Sequence, residues 1–254
     1  MKIALIGYGK MGKVIEGLAL AAGDEVVLKV DEHNRDTVTA AELAAADVAI
    51  EFTRPEAAIG NIDLVLEAGI PVVVGTTGWL NELPTVRQRV QERGGGLFWA
   101  SNFSVGVNVF FAVARRMAEL LGEDDSYSAF ISETHHLQKL DAPSGTAITL
   151  AEEVGRELKG YSSWVLGDVT SPAPYSTIAP AAAPTNGTSA VPIHSIREEG
   201  VPGTHTLRLA SAVDTLELTH VAHSREGFAR GALAAARWMI GRRGTFTMRD
   251  FLDA

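Results

Sequence analysis

The sequence contains no cysteine. Disulfide bonds, thiolate catalysis and cysteine-based zinc sites are therefore excluded, and a cytoplasmic location is the default expectation. Long apolar runs are also lacking, since none approaches the roughly 18–20 residues that a membrane-spanning helix needs. Because Met1-Lys2-Ile3 leads directly into a predicted strand, we expect no secretory signal and no membrane partner.

Positive charge is scarce as well. The chain has 22 basic and 31 acidic side chains, which gives a formal net charge of −9. A sequence-independent nucleic-acid binder needs a basic face, so we expect no nucleic-acid partner. An acidic protein that binds an acidic ligand must create positive potential locally, from particular lysines, arginines and helix N-termini.

Strand and helix patterns alternate through the first hundred residues. Apolar strands are predicted at 2–6, 24–30, 48–53, 71–74 and 97–100, with helical patterns between them. Repeated strand–helix units with short connections predict an α/β fold with a Rossmann-type, doubly wound parallel sheet.

A glycine motif, Gly7-Tyr8-Gly9-Lys10-Met11-Gly12, lies between the first strand and the first helix. In this context the motif predicts a dinucleotide-binding loop, in which Gly7 allows the turn and Gly9 lets the pyrophosphate approach. Gly12 then lets the helix pack on the strand. The alternative is an ordinary strand–helix turn that happens to contain three glycines.

Asp31 ends the next strand and is predicted to accept hydrogen bonds from the adenosine ribose. Glu32 follows, where an NADP-selective protein more usefully carries arginine. We therefore expect NADH to be used at least as well as NADPH. Lys10 and Arg35 are the nearest basic groups, and either one would suit a 2′-phosphate, so the nucleotide choice stays open.

Ligands of doubly wound sheets lie beyond the carboxyl ends of the strands. Further candidate cofactor residues follow three of the predicted strands: Phe52-Thr53, Gly75-Thr76-Thr77 and Ala100-Ser101-Asn102-Phe103. Their hydroxyls, backbone groups and aromatic faces suit a nicotinamide ring and its ribose. The alternative for Thr76 and Thr77 is that they only cap the following segment.

The stretch from Glu133 to Ala147 concentrates reactive groups after a predicted strand at 127–132. His135 and Lys139 each offer a proton donor, and imidazole suits proton transfer near neutral pH. A helix runs from about 143 to 158, with Ser144 or Thr146 placed to cap it. A helix N-terminus attracts a carboxylate, so the stretch predicts chemistry on a small acidic molecule.

Simpler interpretations of these residues remain. Adjacent histidines such as His135 and His136 are often structural, and Lys139 is compatible with a solvated surface position. His220 and His223 have too incomplete a ligand set for a metal site, so we expect no metal.

The second half of the chain predicts an open mixed sheet that carries the motif helix. Strands at 191–197, 205–212 and 216–222 are joined by short turns, which favour antiparallel pairing. The tract Thr170–Ser189 predicts a long surface loop. We place the dinucleotide-binding domain at 1–103 and 224–254, and the substrate-binding and oligomerisation domain at 104–223. The cleft between them would hold the cofactor against the His–Lys stretch.

Several motifs together resemble one family, the 4-hydroxy-tetrahydrodipicolinate reductases (dihydrodipicolinate reductases) of bacterial lysine and diaminopimelate synthesis. The resemblance covers nearly the whole chain. It is carried by Gly7 to Gly12, Phe52 to Glu56, Gly75 to Gly78, Asn102 to Asn108, Glu133 to Ala147 and Met248-Arg249-Asp250. The motif from Glu133 to Ala147 is the most specific of these.

The resemblance implies hydride transfer from NADH or NADPH to C4 of a cyclic imine dicarboxylate, with loss of water and protonation of an enamine. By analogy, His135 is the general acid/base and Lys139 is a proton donor that also steadies a substrate carboxylate. His136 contacts the substrate, while Ser144, Gly145 and Thr146 hold the other carboxylate at the helix N-terminus. The family also implies a homotetramer built through the sheet of the second domain.

Two other functions share parts of this pattern. One is a different two-domain NAD(P)-dependent enzyme, such as an amino-acid dehydrogenase, whose chemistry would not need the stretch from Glu133 to Ala147. The other is a regulator that senses NAD(H) without turnover and lacks organised proton donors.

Overall fold

The computed structural model describes residues 1–170, 189–224 and 226–253. They divide into two compact units, Met1–Asn108 with Glu226–Ala254, and Val109–Arg225. Apart from its two end residues, the predicted loop Thr170–Ser189 lies outside the described residues.

The first unit contains a parallel sheet in the order β11-β5-β4-β3-β1-β2. Its strands are β1 (Lys2–Ile6), β2 (Glu25–Val30), β3 (Val48–Glu51), β4 (Val72–Val74), β5 (Gly96–Trp99) and β11 (Gly244–Phe246). Its helices are α1 (Lys10–Ala21), α2 (Ala40–Leu43), α3 (Pro55–Glu67), α4 (Leu83–Glu92), α7 (Glu226–Met239) and α8 (Met248–Leu252). The predicted doubly wound parallel sheet is confirmed.

Helices cover both faces of this sheet, which explains its nearly continuous apolar strands. Along β1, Ile3 and Leu5 pack in one core cluster, whereas Ala4 and Ile6 pack in the other. Successive side chains of a strand point to opposite faces, so a strand buried on both sides needs apolar residues throughout. Helix α7 packs in the first of these clusters, beside α1.

The second unit contains a mixed sheet in the order β10-β9-β6-β8-β7. Its strands are β6 (Ser128–His135), β7 (Tyr161–Thr170), β8 (Ser189–Arg197), β9 (Gly203–Ala210) and β10 (Thr215–Ala222). Helix α6 (Gly145–Glu157) packs on one face of the sheet, and α5 (Val105–Leu121) contains the boundary between the two units.

The central strand β6 decides where the reactive residues lie. Ala129 and Ile131 pack against α6 in the core of the second unit. Because side chains alternate along a strand, Glu133 and His135 continue the same face toward the N-terminus of α6. All eight residues of β6 are buried.

The predicted antiparallel pairing of the last three strands is half right. Strands β9 and β10 form the expected hairpin, but β8 pairs in parallel with β6 and β7. Strand β6 lies between β8 and β9 and pairs antiparallel with β9. The five-residue connection 198–202 therefore passes the end of one intervening strand instead of making a tight hairpin.

No helix among the described residues is both long and apolar enough to cross a membrane.

Candidate active site

The glycine motif forms a tight loop between β1 and α1. Gly7 has a φ of +95°, and a Cβ at this position would lie 1.9 Å from the carbonyl oxygen of Phe52. A Cβ at Gly12 would lie 2.7 Å from the carbonyl oxygen of Gly7, whereas Gly9 faces open space. The loop thus has a close helix–strand contact and an open backbone, as a pyrophosphate site requires.

A cavity of about 650 Å³ opens beside this loop. Its volume is in the range of small-molecule and cofactor sites. Residues from the carboxyl ends of β1, β2 and β3 line it, including Gly7 to Gly9, Asp31 to His33 and Phe52 to Arg54. In this strand order the chain reverses direction between β1 and β3, which is where doubly wound sheets bind ligands.

The other predicted cofactor residues adjoin the same strand ends. The backbone N–H of Thr53 donates to the hydroxyl of Thr76 at 2.7 Å. The rings of Phe52 and Phe103 lie 5.7 Å apart. A Cβ at Gly75 would lie 2.1 Å from the Phe52 ring, so glycine is needed there for packing. Within the described residues, the loops after β1, β3, β4 and β5 therefore form one continuous surface.

The remaining predicted cofactor residues differ in exposure. Ala100 is buried, Asn102 is half-buried, and Lys10, Thr77 and Ser101 are exposed. The side chain of Asn102 accepts a hydrogen bond from the backbone N–H of Ser104 at 2.8 Å, which orders the start of α5.

Asp31 and Arg35 occupy the end of the cavity that follows β2. Asp31 accepts a hydrogen bond from the backbone N–H of His33 at 2.8 Å. Arg35 donates to the side chain of Asn61 and, at 3.0 Å, to the carbonyl oxygen of Gly60. These contacts hold a guanidinium group within the wall of the cavity.

A buried carboxyl group, Glu51, anchors that arrangement. Asn61 and Thr53 both donate to Glu51, and Asn61 also donates to the Thr53 hydroxyl at 3.2 Å. Burial raises the pKa of Glu51, against the effect of these hydrogen bonds. Asn61 therefore links a buried carboxyl group to the guanidinium of Arg35.

In the second unit, the reactive stretch folds around a fully buried carboxylate, Glu133. The backbone N–H of Ser144 donates to its two oxygens at 3.0 and 3.1 Å, and the Ser195 hydroxyl donates at 2.8 Å. Burial alone would raise the pKa of Glu133, but the nearby His205 imidazole and the hydrogen bonds from Ser144 and Ser195 outweigh it and lower the pKa to about 2. Glu133 is thus an anion inside the unit.

Two imidazoles flank this carboxylate. Nδ1 of His135 lies 3.7 Å and Nε2 of His205 lies 3.6 Å from the same oxygen, Oε2. Burial, together with the neighbouring His205, lowers the pKa of His135 to about 4, although Glu133 acts in the opposite direction. His135 is therefore neutral at neutral pH. We call Glu133, His135, Ser144, Ser195 and His205 the Glu133 cluster.

Nitrogen and oxygen atoms of Glu133, His135 and His205 lie within 4.8 Å of one another. The hydrogen bonds that Glu133 already accepts from Ser144 and Ser195 compete with any further ligand. This arrangement favours proton transfer over metal binding.

Lys139 lies in the loop that follows β6. Its ammonium bonds both carboxylate oxygens of Asp141, at 2.9 and 2.8 Å, and the ion pair lowers the pKa of Asp141. Arg197 on β8 holds this loop by donating to the carbonyl oxygens of Lys139 and Asp141, at 3.3 and 2.7 Å. The ammonium also contributes to the lowered pKa of His135, so it lies within electrostatic reach of that imidazole. His136 is half-buried at the start of the loop.

Ser144 caps helix α6. Its hydroxyl accepts a hydrogen bond from the backbone N–H of Ala147 at 3.2 Å, and Nε2 of His205 lies 3.1 Å from the same hydroxyl. Of the two caps that the sequence allowed, Ser144 is the one observed. By helix geometry, the first amides, at Gly145 and Thr146, have no intrahelical partner. Gly145 is exposed, and a Cβ there would meet open space.

Sequence reasoning missed several residues of this site. Glu133 begins the motif, but neither Glu133 nor His205 receives a role from the sequence. Ser195 and Arg197 lie far along the chain from the motif, in a strand predicted only from its apolar pattern. The parallel pairing of Glu133 with Ser195 brings them together.

Comparisons with known proteins agree along the whole chain. Residues 1–103 match the family described as "Dihydrodipicolinate reductase, N-terminus", and residues 106–252 match "Dihydrodipicolinate reductase, C-terminus". A 4-hydroxy-tetrahydrodipicolinate reductase of Christiangramia forsetii is 41% identical over 255 residues, covering 100% of this chain and 98% of the relative. A Neisseria gonorrhoeae protein of the same name is 34% identical over 278 residues, covering 99% and 97%.

A solved structure gives the same result for the fold. The dipicolinate-bound dihydrodipicolinate reductase of Paenisporosarcina sp. TG-14 superposes with a TM-score of 0.76 at 21% identity, covering 97% of each chain.

Proposed function

Because the chain belongs to the dihydrodipicolinate reductase family, we propose specific roles for the residues of its two units. The chain is an NAD(P)H-dependent oxidoreductase of the lysine and diaminopimelate pathway, and it reduces 4-hydroxy-tetrahydrodipicolinate. One observation carries the roles: the His135 imidazole and the N-terminus of α6 meet at the buried carboxylate of Glu133, and the Lys139 ammonium lies in the loop that joins them.

The first unit binds the nucleotide. The Gly7–Gly12 loop receives the pyrophosphate, Asp31 receives the adenosine ribose, and the strand ends around Phe52 and Thr76 receive the nicotinamide riboside. Reduced nicotinamide, when bound, supplies the hydride. The open backbone at Gly9 and the cavity beside it support this assignment.

The second unit binds the dicarboxylate substrate. The amides of Gly145 and Thr146, with the Ser144 cap, hold one carboxylate, since free N–H groups at a helix N-terminus favour anions. Lys139 steadies the other carboxylate, which takes the place of the Asp141 carboxylate at its ammonium. His136 contacts the ring of the substrate.

Proton transfer is divided between Lys139 and His135. The ammonium of Lys139, which is paired with the Asp141 carboxylate, carries the proton that completes the reduction. His135 is neutral at rest and accepts a proton during loss of water, then returns it as the general acid. The two groups thus begin the cycle in complementary protonation states.

Three further features belong to the same proposal. NADH serves at least as well as NADPH, because Glu32 follows Asp31 where an arginine would favour the 2′-phosphate. The protein works as a homotetramer built through the sheet of the second unit. It acts in the cytoplasm, beside the other steps of its pathway.

The test is a coupled assay in which the substrate is generated enzymatically and the decay of NADH absorbance is followed. We expect turnover by the native chain and a fall in kcat of about 10²-fold or more in His135→Ala and Lys139→Ala, the usual contribution of a positioned acid–base group. Lys159→Ala, at an exposed lysine after α6, is the control.

Each rival function has its own outcome in this assay. Bound nucleotide with no NADH decay would favour a sensor. Formation of NADH from NAD+ with an amino acid, and no NADH decay with the dicarboxylate, would favour another dehydrogenase. Near-native kcat in both His135→Ala and Lys139→Ala would remove these residues from the mechanism.

A further inference from the structure

Burial of the Glu133 carboxylate is energetically unfavourable in itself. Its side chain has no exposed surface, and taking a carboxylate out of water costs several kcal/mol unless partners replace the water. The partners within hydrogen-bond distance are uncharged donors, the Ser144 backbone N–H and the Ser195 hydroxyl, while Nη1 of Arg197 lies 3.9 Å from Oε1. An apolar side chain on this face of β6 would pack beside Ile131 without that cost, so packing alone does not account for the carboxylate.

One oxygen of Glu133 faces two imidazoles. Oε2 lies 3.7 Å from Nδ1 of His135 and 3.6 Å from Nε2 of His205, and the two rings meet edge to face with centroids 5.0 Å apart. His205 also contacts the Ser144 hydroxyl at 3.1 Å through that same Nε2. Nδ1 of His135 is buried and has no hydrogen-bond partner within the described chain. A ring movement of less than about 1 Å would bring it within hydrogen-bond distance of Oε2.

The other basic side chains around His135 would oppose a positive imidazole. Lys139 from the loop after β6, Arg197 from β8 and His205 from β9 each lower its pKa, whereas Glu133 on its own strand raises it. Glu133 is therefore the group among them that stabilises an imidazolium at this position.

The backbone of β9 lies against another side of the His135 imidazole and restricts its movement. A Cβ at Gly203 would lie 3.1 Å from Nε2 and 3.2 Å from Cδ2 of His135. The φ of Gly203 is not in the left-handed region, so alanine there would press on the imidazole without straining the backbone. His135 is thus held between the carboxylate of Glu133 and the backbone of Gly203.

From this geometry we propose that Glu133 and His205 are positioning residues for His135. The Glu133 carboxylate orients the ring with its proton on Nδ1 and stabilises the imidazolium formed in turnover. His205, whose Nε2 contacts the Ser144 hydroxyl, opposes that imidazolium and so limits its stabilisation. This inference rests on the proposed function, because it takes His135 as the acid–base group. A carboxylate that fixes the tautomer and charge of a catalytic imidazole is a general device of proton-transfer sites.

Two substitutions should act in opposite directions. Glu133→Gln keeps the shape but removes the anion that favours the imidazolium, so His135 should titrate at a lower pH than in the native chain. His205→Gln removes a neighbour that lowers the pKa of His135, so His135 should titrate at a higher pH. NMR titration of labelled histidine measures both, and the ¹⁵N shifts report which ring nitrogen carries the proton. A merely structural role for either residue predicts no such opposition.

Kinetics supply the second readout. We expect kcat to fall about tenfold or more in Glu133→Gln, with the KM for NADH within about twofold, because a misplaced acid–base group loses part of its contribution. Glu133→Asp, which keeps the charge, should restore part of the rate. Ser132→Ala, a buried polar residue of the same strand, is the matched control and should keep native kcat.

Gly203→Ala keeps the proposal testable if Glu133→Gln does not fold. It should displace the His135 ring, lower kcat and change the tautomer signal, while the thermal midpoint stays near that of the native chain. The proposal is overturned if Glu133→Gln and His205→Gln shift the His135 titration in the same direction, or if neither shifts it. If native kcat persists in His135→Ala itself, the proposed function fails first, and the two failures are thereby distinguished.

Discussion

At the scale of single residues, hydrogen bonds hold the guanidinium of Arg35 in the wall of the candidate nucleotide cavity. Asn61 and the carbonyl oxygen of Gly60 hold its guanidinium in the cavity that follows β2. Glu51 in turn holds Asn61 from inside the sheet. A fixed guanidinium suits a phosphate group, because little side-chain entropy is lost when the phosphate binds.

We therefore predict that Arg35→Met lowers kcat/KM for NADPH about tenfold while the value for NADH stays within about threefold. The native chain should use NADH at least as well as NADPH, because Asp31 and Glu32 disfavour a 2′-phosphate. Steady-state kinetics with both nucleotides measure this, with Arg87→Met, at an exposed arginine of α4, as the control. A hundredfold native preference for NADPH would contradict the expected use of NADH.

Prediction of the candidate site from sequence depends on whether its residues lie in one contiguous stretch. His135, Lys139 and the Ser144 cap are near neighbours along the chain, and their combination was informative without coordinates. The partners of Glu133 also include Ser195 and His205, which the pairing of β6 with β8 and β9 brings to it. A buried carboxylate cannot be distinguished from a solvated one by local sequence.

At the scale of elements, strands were predictable where apolar residues alternate regularly and the pairing with neighbouring strands keeps one register. Strand β7 was not predicted, and its pairing with β8 shifts register at 161–163 and 166–169, which breaks the alternation that marks a strand. The short helix α2 has too few residues to show a periodic pattern. The place of β6 between β8 and β9 is a long-range choice that the short connection 198–202 did not reveal.

The N-terminus of α6 is the element-scale feature that the proposed function uses. We predict that Gly145→Ala raises the KM for the dicarboxylate about tenfold, because a methyl group would occupy the space where the carboxylate meets the free amides. Stability should stay constant or rise slightly, since a Cβ there meets no neighbour and alanine favours helix over glycine.

Gly155→Ala in the same helix is the matched control for this substitution. A Cβ at Gly155 would make only ordinary contacts, at 3.7 and 3.8 Å, and should gain the same helix propensity without changing KM. An unchanged KM in Gly145→Ala together with a raised thermal midpoint would show that the carboxylate does not bind at this helix N-terminus.

At the scale of the whole molecule, the buried ionisable groups make stability depend on pH. His135 has an ordinary pKa of 6.5 and a folded pKa of about 4, so the unfolded chain binds the proton first as pH falls. Stability should therefore decrease between pH 6.5 and 4, by roughly 3 kcal/mol at most. Glu133, whose pKa falls from 4.5 to about 2, adds stability above pH 4.5 that is lost as pH decreases toward 2.

Chemical denaturation at pH 7 and pH 4.5 measures the first of these effects. We expect the free energy of unfolding to fall less between these values in His135→Gln than in the native chain, because the titrating imidazole is gone. Exposed His33→Gln should leave the pH dependence unchanged. An equal loss in the native chain and His135→Gln would assign the acid sensitivity to other groups.

The proposed tetramer is the last whole-molecule feature, and the edge strand β10 is where it can be tested. Leu216 and Val221 on β10 are 41% and 50% exposed, and β10 is an edge strand of the sheet that the described residues form. An edge strand with exposed apolar side chains favours association with another chain. We predict that Leu216→Lys combined with Val221→Lys shifts the native assembly to smaller species in sedimentation velocity, because two buried ammonium groups would oppose the interface. Leu20→Lys is the control, because Leu20 is an exposed residue of α1 in the first unit, and it should leave the assembly intact. A native chain that sediments as a monomer would reject the tetramer, and an intact tetramer in the double variant would place its interface away from β10.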